Sequence, residues 1–306
     1  MKIYYDASYI KDKYALKMIA RFPEIEFISD IKSSYEVEAI LAMPDYLNQA
    51  NLDLYQNLKW VQILSAGYDT LDLEYFRKRK IILTNAKDVF SIQIAEDVFS
   101  KILYFNRHLK KHIEHKSQEE WKYEPVHFEI ANSTVGILGT GSIGLEIAKR
   151  MKAFDAKVIG YKRKYAKLPY FDEIYDQAEG LSKLYQTSDY IIIALPLDPS
   201  TYHMIDEDAF KLMKKNAILI NVARGDIIDQ KALVYALKNQ LIRGAGLDVT
   251  SPEPLPKNHE LWGFDNVFIT PHNASSSPYF NQRLIDVVID SILKYMVHEN
   301  FDNRVI

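Results

Sequence analysis

Eleven glycines occur in 306 residues, and four of them, Gly136, Gly139, Gly141 and Gly144, fall inside the nine residues GILGTGSIG. Random placement would hardly do this, so bare backbone is needed there. An apolar run, STVGIL (133–138), precedes the cluster and an amphipathic segment, LEIAKRM, follows it. That is the strand–turn–helix context of a G-x-G-x-x-G loop. Each glycine then has a mechanical reason to be there. Gly139 permits the tight turn, Gly141 lets a pyrophosphate approach the backbone, and Gly144 lets helix and strand pack closely. The helix N-terminus offers unpaired N–H groups to the phosphates. Gly139, Thr140, Gly141, Ser142, Ile143 and Gly144 are therefore expected to bind a dinucleotide.

The rest of the chain supplies the matching frame. After the glycine loop come KVIGY (157–161), YIIIALP (190–196), AILINVA (217–223), GAGLDV (244–249) and VFIT (267–270), separated by helix-like segments. Counting the strand before the loop, six strands are predicted, the number of a doubly wound nucleotide-binding domain. An earlier series, KIYY (2–5), EAILAM (38–43), WVQILS (60–65) and IILTN (81–85), also alternates with helices. The pattern predicts an α/β protein with two parallel-sheet domains, which suits the chain length. One continuous helix is predicted from Ser91 through IAEDVFSKILYFNRHLKKHIEH, and a last helix over 281–296 is expected to return to the first domain. With no repeat and no low-complexity linker, the cleft between domains is the default ligand site.

The end of the second nucleotide-domain strand selects the cofactor. An NAD-preferring site usually has an acid there for the ribose hydroxyls. Here the strand runs into VIGYKRKYAK, which puts Lys162, Arg163 and Lys164 in its place. Cations attract a 2′-phosphate that a carboxylate would repel. NADP is accordingly expected to be preferred, with NAD as the other possibility.

Composition excludes several alternatives. A formal charge of −3 gives no reason to expect nucleic acid or an anionic membrane as partner. With no cysteine, disulfides, thiolate nucleophiles and Cys-ligated metals are ruled out. The N-terminal segment lacks the apolar core of a signal peptide and no run is long enough to span a bilayer, so a cytoplasmic protein is expected. His108, His112 and His115 have helical spacing that could hold zinc. Their strongly basic surroundings argue against a cation, and no metal is expected.

Ligands of open parallel sheets bind beyond the C-terminal ends of the strands. Three successive strands deliver reactive side chains there: Arg224 after AILINVA, Glu253 within TSPEPLP, and His272 after VFIT. Arginine offers a planar fork of donors that matches a carboxylate and can polarise a carbonyl. Histidine can give a proton to an oxygen and take it back in the reverse direction. A carboxylate within reach of the imidazole would fix its tautomer and stabilise its protonated form.

The run from TVGILGTGSIG through NVARGDIID to GLDVTSPEPLPKNHELWGFDNVFITPH resembles the D-isomer-specific 2-hydroxyacid dehydrogenase family. NLKWVQILSAGYDTLD, TNAKDVFSIQIAEDVF, ALPLDPSTYHMID and LMKKNAILINVARG are similar to further segments of that family, so the resemblance covers nearly the whole chain. It implies a Rossmann-type nucleotide-binding domain (97–276) inserted in a flavodoxin-like substrate domain (1–96 and 277–306), and a homodimer built partly on a helical arm. It implies that a small 2-oxo acid is reversibly reduced to the D-2-hydroxy acid. Arg224 then meets the substrate, Glu253 partners the histidine, and His272 is the acid–base that also touches substrate. Ser65, Ala66 and Gly67 would bind the substrate carboxylate, which suits N–H groups in a glycine turn. Leu195, Pro196, Val222, Ala223 and Asp248 would join the glycine loop around the cofactor.

There are departures. EIANSTVGI stands where the family usually has a glycine and a lysine, and KRK replaces an acid common in NAD-dependent members. The Met43–Tyr46 loop and Tyr68 are expected to line the substrate pocket. Formate dehydrogenases of the extended family have glutamine where Glu253 stands, which argues against that activity. The alternative of a different class is a cofactor-binding corepressor, scaffold or redox sensor with little turnover.

Overall fold

The computed structural model describes residues 1–30, 35–125 and 128–306. By internal contacts these divide into two units, Met1–Phe90 with Ser276–Ile306, and Ser91–Ser275. The first unit contains β1 (Lys2–Tyr5), α1 (Asp12–Arg21), β2 (Glu26–Ile28), β3 (Val37–Ala42), α2 (Gln49–Leu52), β4 (Trp60–Ile63), α3 (Leu73–Arg79) and β5 (Ile82–Thr84). Its strands pair in parallel in the order β2-β1-β3-β4-β5. That is the flavodoxin-like order.

Side chains alternate across this sheet, as a period of two requires. Ala39, Leu41 and Trp60 face one core with Ala15 and Met18 of α1, while Ile40, Ala42, Val61 and Ile63 face the other with Leu52 and Phe76. With both faces covered, the central strands β3 and β4 are mostly apolar rather than alternating, with Glu38 and the buried Gln62 as exceptions. β2 was not foreseen, because its three residues are exposed or half-buried and carry little periodic signal.

The second unit runs α4 (Ser91–Asn106), α5 (Leu109–Ser117), β6 (Thr134–Leu138), α6 (Ser142–Ala153), β7 (Lys157–Tyr161), β8 (Glu173–Tyr175), α7 (Ala178–Thr187), β9 (Tyr190–Ile193), α8 (Glu207–Leu212), β10 (Ile218–Asn221), α9 (Gln230–Lys238), β11 (Gly244–Leu247) and β12 (Val267–Ile269). Its parallel strands follow the order β12-β11-β10-β9-β6-β7-β8. Reading outward from β6, this is the Rossmann order with a seventh strand at one edge. That seventh strand is β12; the sequence predicts six strands and misses β8, a three-residue strand at the opposite edge. The final helix, α10 (Phe280–Met296), packs Leu284, Ile285, Val288 and Ile292 into the first unit's core.

One expectation is corrected. The long helix from Ser91 breaks at His108, whose φ of 48° is left-handed and cannot continue a right-handed helix. His108 therefore does not share a helix with His112 and His115. By internal contacts the first unit boundary falls at Phe90/Ser91, and α4 packs as one rod against α6, β10 and β11. The second boundary, Ser275/Ser276, lies one residue from the expected position. Among the described residues no helix is long and apolar enough to cross a membrane.

Candidate active site

The glycine loop begins where β6 ends. Gly139 has a φ of 98°, and a Cβ there would lie 2.6 Å from the Ala194 backbone. Gly144 is closed more tightly still: a Cβ would come within 2.0 Å of the Gly139 carbonyl oxygen. Gly141, the N-cap of α6, is the opposite case, with nothing within 4 Å of an added Cβ. Two glycines thus serve packing, and the third leaves open space at a helix N-terminus. Ser142 and Ile143 open that helix. Thr140 is buried, and its hydroxyl finds no hydrogen-bond partner among the described residues. An open glycine, an orphaned hydroxyl and free helix N–H groups together fit the diphosphate of a dinucleotide.

The end of β7 lies against this loop, since the Gly139 N–H donates to the Tyr161 carbonyl at 3.0 Å. Lys162 follows immediately and is tied to the edge strand by its N–H, 3.0 Å from the Tyr175 carbonyl. The Arg163 guanidinium reaches Asp198 at 2.5 Å. Leu195 is buried and Pro196 exposed in the loop after β9, where the Pro196 carbonyl accepts from Thr201 at 2.8 Å. The Ser200 hydroxyl first, then the Ser200 N–H and the Arg163 charge, hold the Asp198 carboxyl below its ordinary value against the effect of burial.

Val222 and Ala223 are buried where β10 ends, and Arg224 follows in an extended conformation. The fully buried Asn221 shapes this turn, accepting from the Ala223 N–H at 3.0 Å and donating to the Arg224 carbonyl at 2.8 Å. Gly225 brings the turn against the next loop, because a Cβ there would sit 2.1 Å from the Thr250 carbonyl. That loop carries Glu253. It is held by the Ser251 N–H donating to Gln230 at 3.1 Å and by the Ser251 hydroxyl donating to Asp226.

Glu253 and His272 meet: Oε2 lies 2.8 Å from Nδ1. A carboxylate only accepts, so Nδ1 carries the proton of this bond. Nε2 is left as the ring nitrogen that can exchange a proton outward. His272 itself sits at a left-handed φ of 50°, with its N–H donating to the Asp248 carbonyl at 2.8 Å. The buried Asp248 carboxylate clamps the same loop, accepting from the Thr270 hydroxyl at 2.6 Å and from the N–H groups of Asn273 and Ala274, each at 3.0 Å. Asp248, expected at the cofactor, thus also fixes the segment bearing the histidine. Neither this clamp nor Asn221 was foreseen. An Asp one residue beyond a strand run was the available signal for the first, and Asn closing an apolar strand for the second.

In the first unit, Ser65, Ala66 and Gly67 form the turn after β4. The Ser65 hydroxyl donates to the Gly67 carbonyl and Asn85 donates to the Ala66 carbonyl, both at 2.8 Å. The N–H groups of Ala66 and Gly67 find no acceptor among the described residues. Tyr46 stacks on Tyr4 with ring centroids 5.0 Å apart and shares a 2.6 Å hydrogen bond with Tyr55. Tyr68 packs partly buried against the same core. His115 Nε2 lies 3.7 Å from Glu124 and its ring 6.3 Å from that of His112, and no group of metal-binding side chains occurs among the described residues.

Comparisons with known proteins agree with this architecture. Residues 99–274 match the family model described as "D-isomer specific 2-hydroxyacid dehydrogenase, NAD binding domain". A glyoxylate reductase of Pyrococcus horikoshii is 34% identical over 297 residues, covering 94% of this chain and 88% of its own. A D-isomer-specific 2-hydroxyacid dehydrogenase family protein of Aeromonas salmonicida superposes with a TM-score of 0.87 at 30% identity, over 100% of this chain and 98% of its own. The NADPH-dependent glyoxylate/hydroxypyruvate reductase of Sinorhizobium meliloti, solved with NADP and malonate, gives a TM-score of 0.79 at 27% identity, over 99% and 96%.

Proposed function

The chain belongs to the D-isomer-specific 2-hydroxyacid dehydrogenase family, and we propose that it reduces a small 2-oxo acid of glyoxylate or hydroxypyruvate size, with NADPH preferred and His272 as proton donor. It is an NAD(P)-dependent 2-hydroxyacid oxidoreductase. The observation that carries the mechanism is the 2.8 Å contact between Glu253 Oε2 and His272 Nδ1. The names of the relatives support the substrate class, and the Lys162-Arg163-Lys164 run supports the cofactor preference.

A bound nicotinamide dinucleotide supplies hydride to the carbonyl carbon. The remaining work belongs to the chain. Thr140, Ser142 and the backbone from Gly139 to Gly144 hold the diphosphate. The loops at Leu195–Pro196 and Val222–Ala223 and the Asp248 segment flank the cofactor. Arg224 pairs with the substrate carboxylate and polarises the adjacent carbonyl. His272 delivers its Nε2 proton to the carbonyl oxygen as negative charge develops there, and Glu253 offsets the charge of the imidazolium that must precede this step. In the oxidative direction the same nitrogen takes the proton back. Homodimerisation is also proposed, supported by the exposed Ile113, Trp121 and Tyr123 on and after α5.

The test is oxidation of NADPH, with NADH in parallel, against glyoxylate, hydroxypyruvate, pyruvate, phenylpyruvate and branched-chain 2-oxo acids. Turnover of glyoxylate or hydroxypyruvate above the larger acids, and faster with NADPH, is expected. Tight NADPH binding with no acid reduced would overturn the enzymatic reading in favour of a cofactor sensor or scaffold.

A further inference from the structure

The ion pair between Arg163 and Asp198 joins two sides of the cofactor-binding edge. β6, which feeds the glycine loop, lies between β7 and β9 in the sheet. Arg163 stands two residues beyond the end of β7, and Asp198 stands in the loop after β9. All three strands are parallel, so their C-terminal ends share one rim, and the 2.5 Å contact spans the end of β6.

The two partners are not equally free. Asp198 is anchored by its own loop. Its Oδ1 accepts from the Ser200 N–H at 2.8 Å and from the Ser200 hydroxyl at 2.5 Å, and its N–H donates to Thr201 at 2.8 Å. Its Oδ2 is the oxygen bound by Arg163. The Arg163 side chain is 79% exposed against 27% for Asp198, so the guanidinium can swing while the carboxylate stays. An exposed pair of this kind is weak and open to exchange. A phosphate dianion is a stronger bidentate partner for the same fork.

We propose that Asp198 is a specificity-tuning residue, which competes with the 2′-phosphate of NADP for Arg163 and so limits discrimination between NADP and NAD. The inference rests on the proposed reading of Lys162-Arg163-Lys164 as the phosphate-facing run. NAD has no phosphate at this position and draws nothing from breaking the pair. NADP gains Arg163 only by displacing Asp198, and it also meets the anchored carboxylate as a like charge. Asp176, whose carboxylate accepts from the Tyr165 N–H at 3.0 Å, is a second acid beside the basic run and serves as the control for general charge.

The experiment is calorimetric titration of the full chain with NADP+ and NAD+ at low ionic strength, for the wild type and for Asp198→Asn, Asp176→Asn and Arg163→Ala. Asp198→Asn should raise the NADP+-to-NAD+ affinity ratio by about three- to tenfold, mainly through NADP+. The gain should shrink in 0.5 M salt, where exposed charges are screened. Asp176→Asn should move the ratio less. A ratio unmoved by Asp198→Asn, or both affinities falling together as expected if Asp198 only orders its loop, would overturn the proposal. Equal shifts in Asp198→Asn and Asp176→Asn would overturn it too. Failure of the underlying cofactor reading looks different: the wild type would bind NAD+ as well as NADP+, and Arg163→Ala would leave the ratio unchanged.

Discussion

Removing the imidazole with His272→Ala takes away the only group placed to protonate the carbonyl oxygen in the proposed mechanism. Turnover should fall by roughly 10²–10⁴, the usual worth of a general acid. Glu253→Gln keeps a hydrogen-bonding oxygen near Nδ1 but removes the charge, so turnover should drop by about tenfold or more with KM for the oxo acid changed much less. Steady-state kinetics check both, and full turnover in His272→Ala would discard the role. The meeting of His272 with Glu253 was legible because each follows an apolar strand run, where an open sheet places its ligands. Asn221 and the Asp248 clamp were not legible as positioning groups. The bonds of Asn221 run to backbone atoms, and those of Asp248 run to the Thr270 hydroxyl and to two N–H groups 25 and 26 residues away. A sequence displays the carboxylate but not the N–H groups that a turn will bring to it.

Among the elements, the glycine loop separates folding from binding. Gly141 has a φ of −72° and open space where a Cβ would go, so Gly141→Ala should fold with a near-normal Tm. The same methyl would occupy the space proposed for pyrophosphate, and cofactor affinity should fall at least tenfold, about 1.4 kcal/mol. Gly144→Ala should instead lower Tm, because its Cβ meets the rigid Gly139 carbonyl. Thermal unfolding and cofactor titration of both variants test this contrast, and equal Tm losses would refute it. The long buried strands were read directly from their apolar runs, as in the YIII of β9, whose four residues are all buried. β2 and β8 escaped, since each opens on a glutamate and buries none of its three residues, which leaves no apolar run to read. Lys101 was equally hidden. It is fully buried on α4 against Gly246, with its ammonium paired to Asp97 four residues earlier. Burial raises the Asp97 carboxyl above its ordinary value, against the pull of Lys101. A lysine in an amphipathic pattern reads as a solvent-facing position, and only packing reveals otherwise.

For the whole molecule, one edge depends on a carboxylate that acid protonates late. The Lys157 side chain, foremost, and then the Tyr175 hydroxyl and Lys183 hold the Glu173 carboxyl down to about 2. On the neighbouring Asp172, burial pushes the pKa upward, but the Val158 N–H and Lys152 outweigh it and leave it lowered. A carboxylate whose folded pKa is depressed stabilises the fold above its unfolded value, near 4.5 for Glu173, and that contribution is lost as pH falls toward the folded value. Stability should therefore be level above pH ~5 and decline between pH ~4.5 and ~2. Over the same range the carboxylates lose the charge that balances 38 Lys and Arg. Glu173 opens β8 and pairs with Lys157, which opens the parallel partner β7, so its protonation loosens an edge strand only three residues long. Tyr175 of that strand accepts the Lys162 N–H, which connects the edge to the basic run proposed to face the cofactor. Hydrogen exchange at the Lys162 N–H and the β8 amides should thus accelerate as pH falls through that window, from ~4.5 to ~2. Glu173→Gln should show the looser edge already at pH 7 and a shallower loss of Tm through the acid window. Parallel acid profiles for the variant and the wild type would show that this edge is not where acid acts.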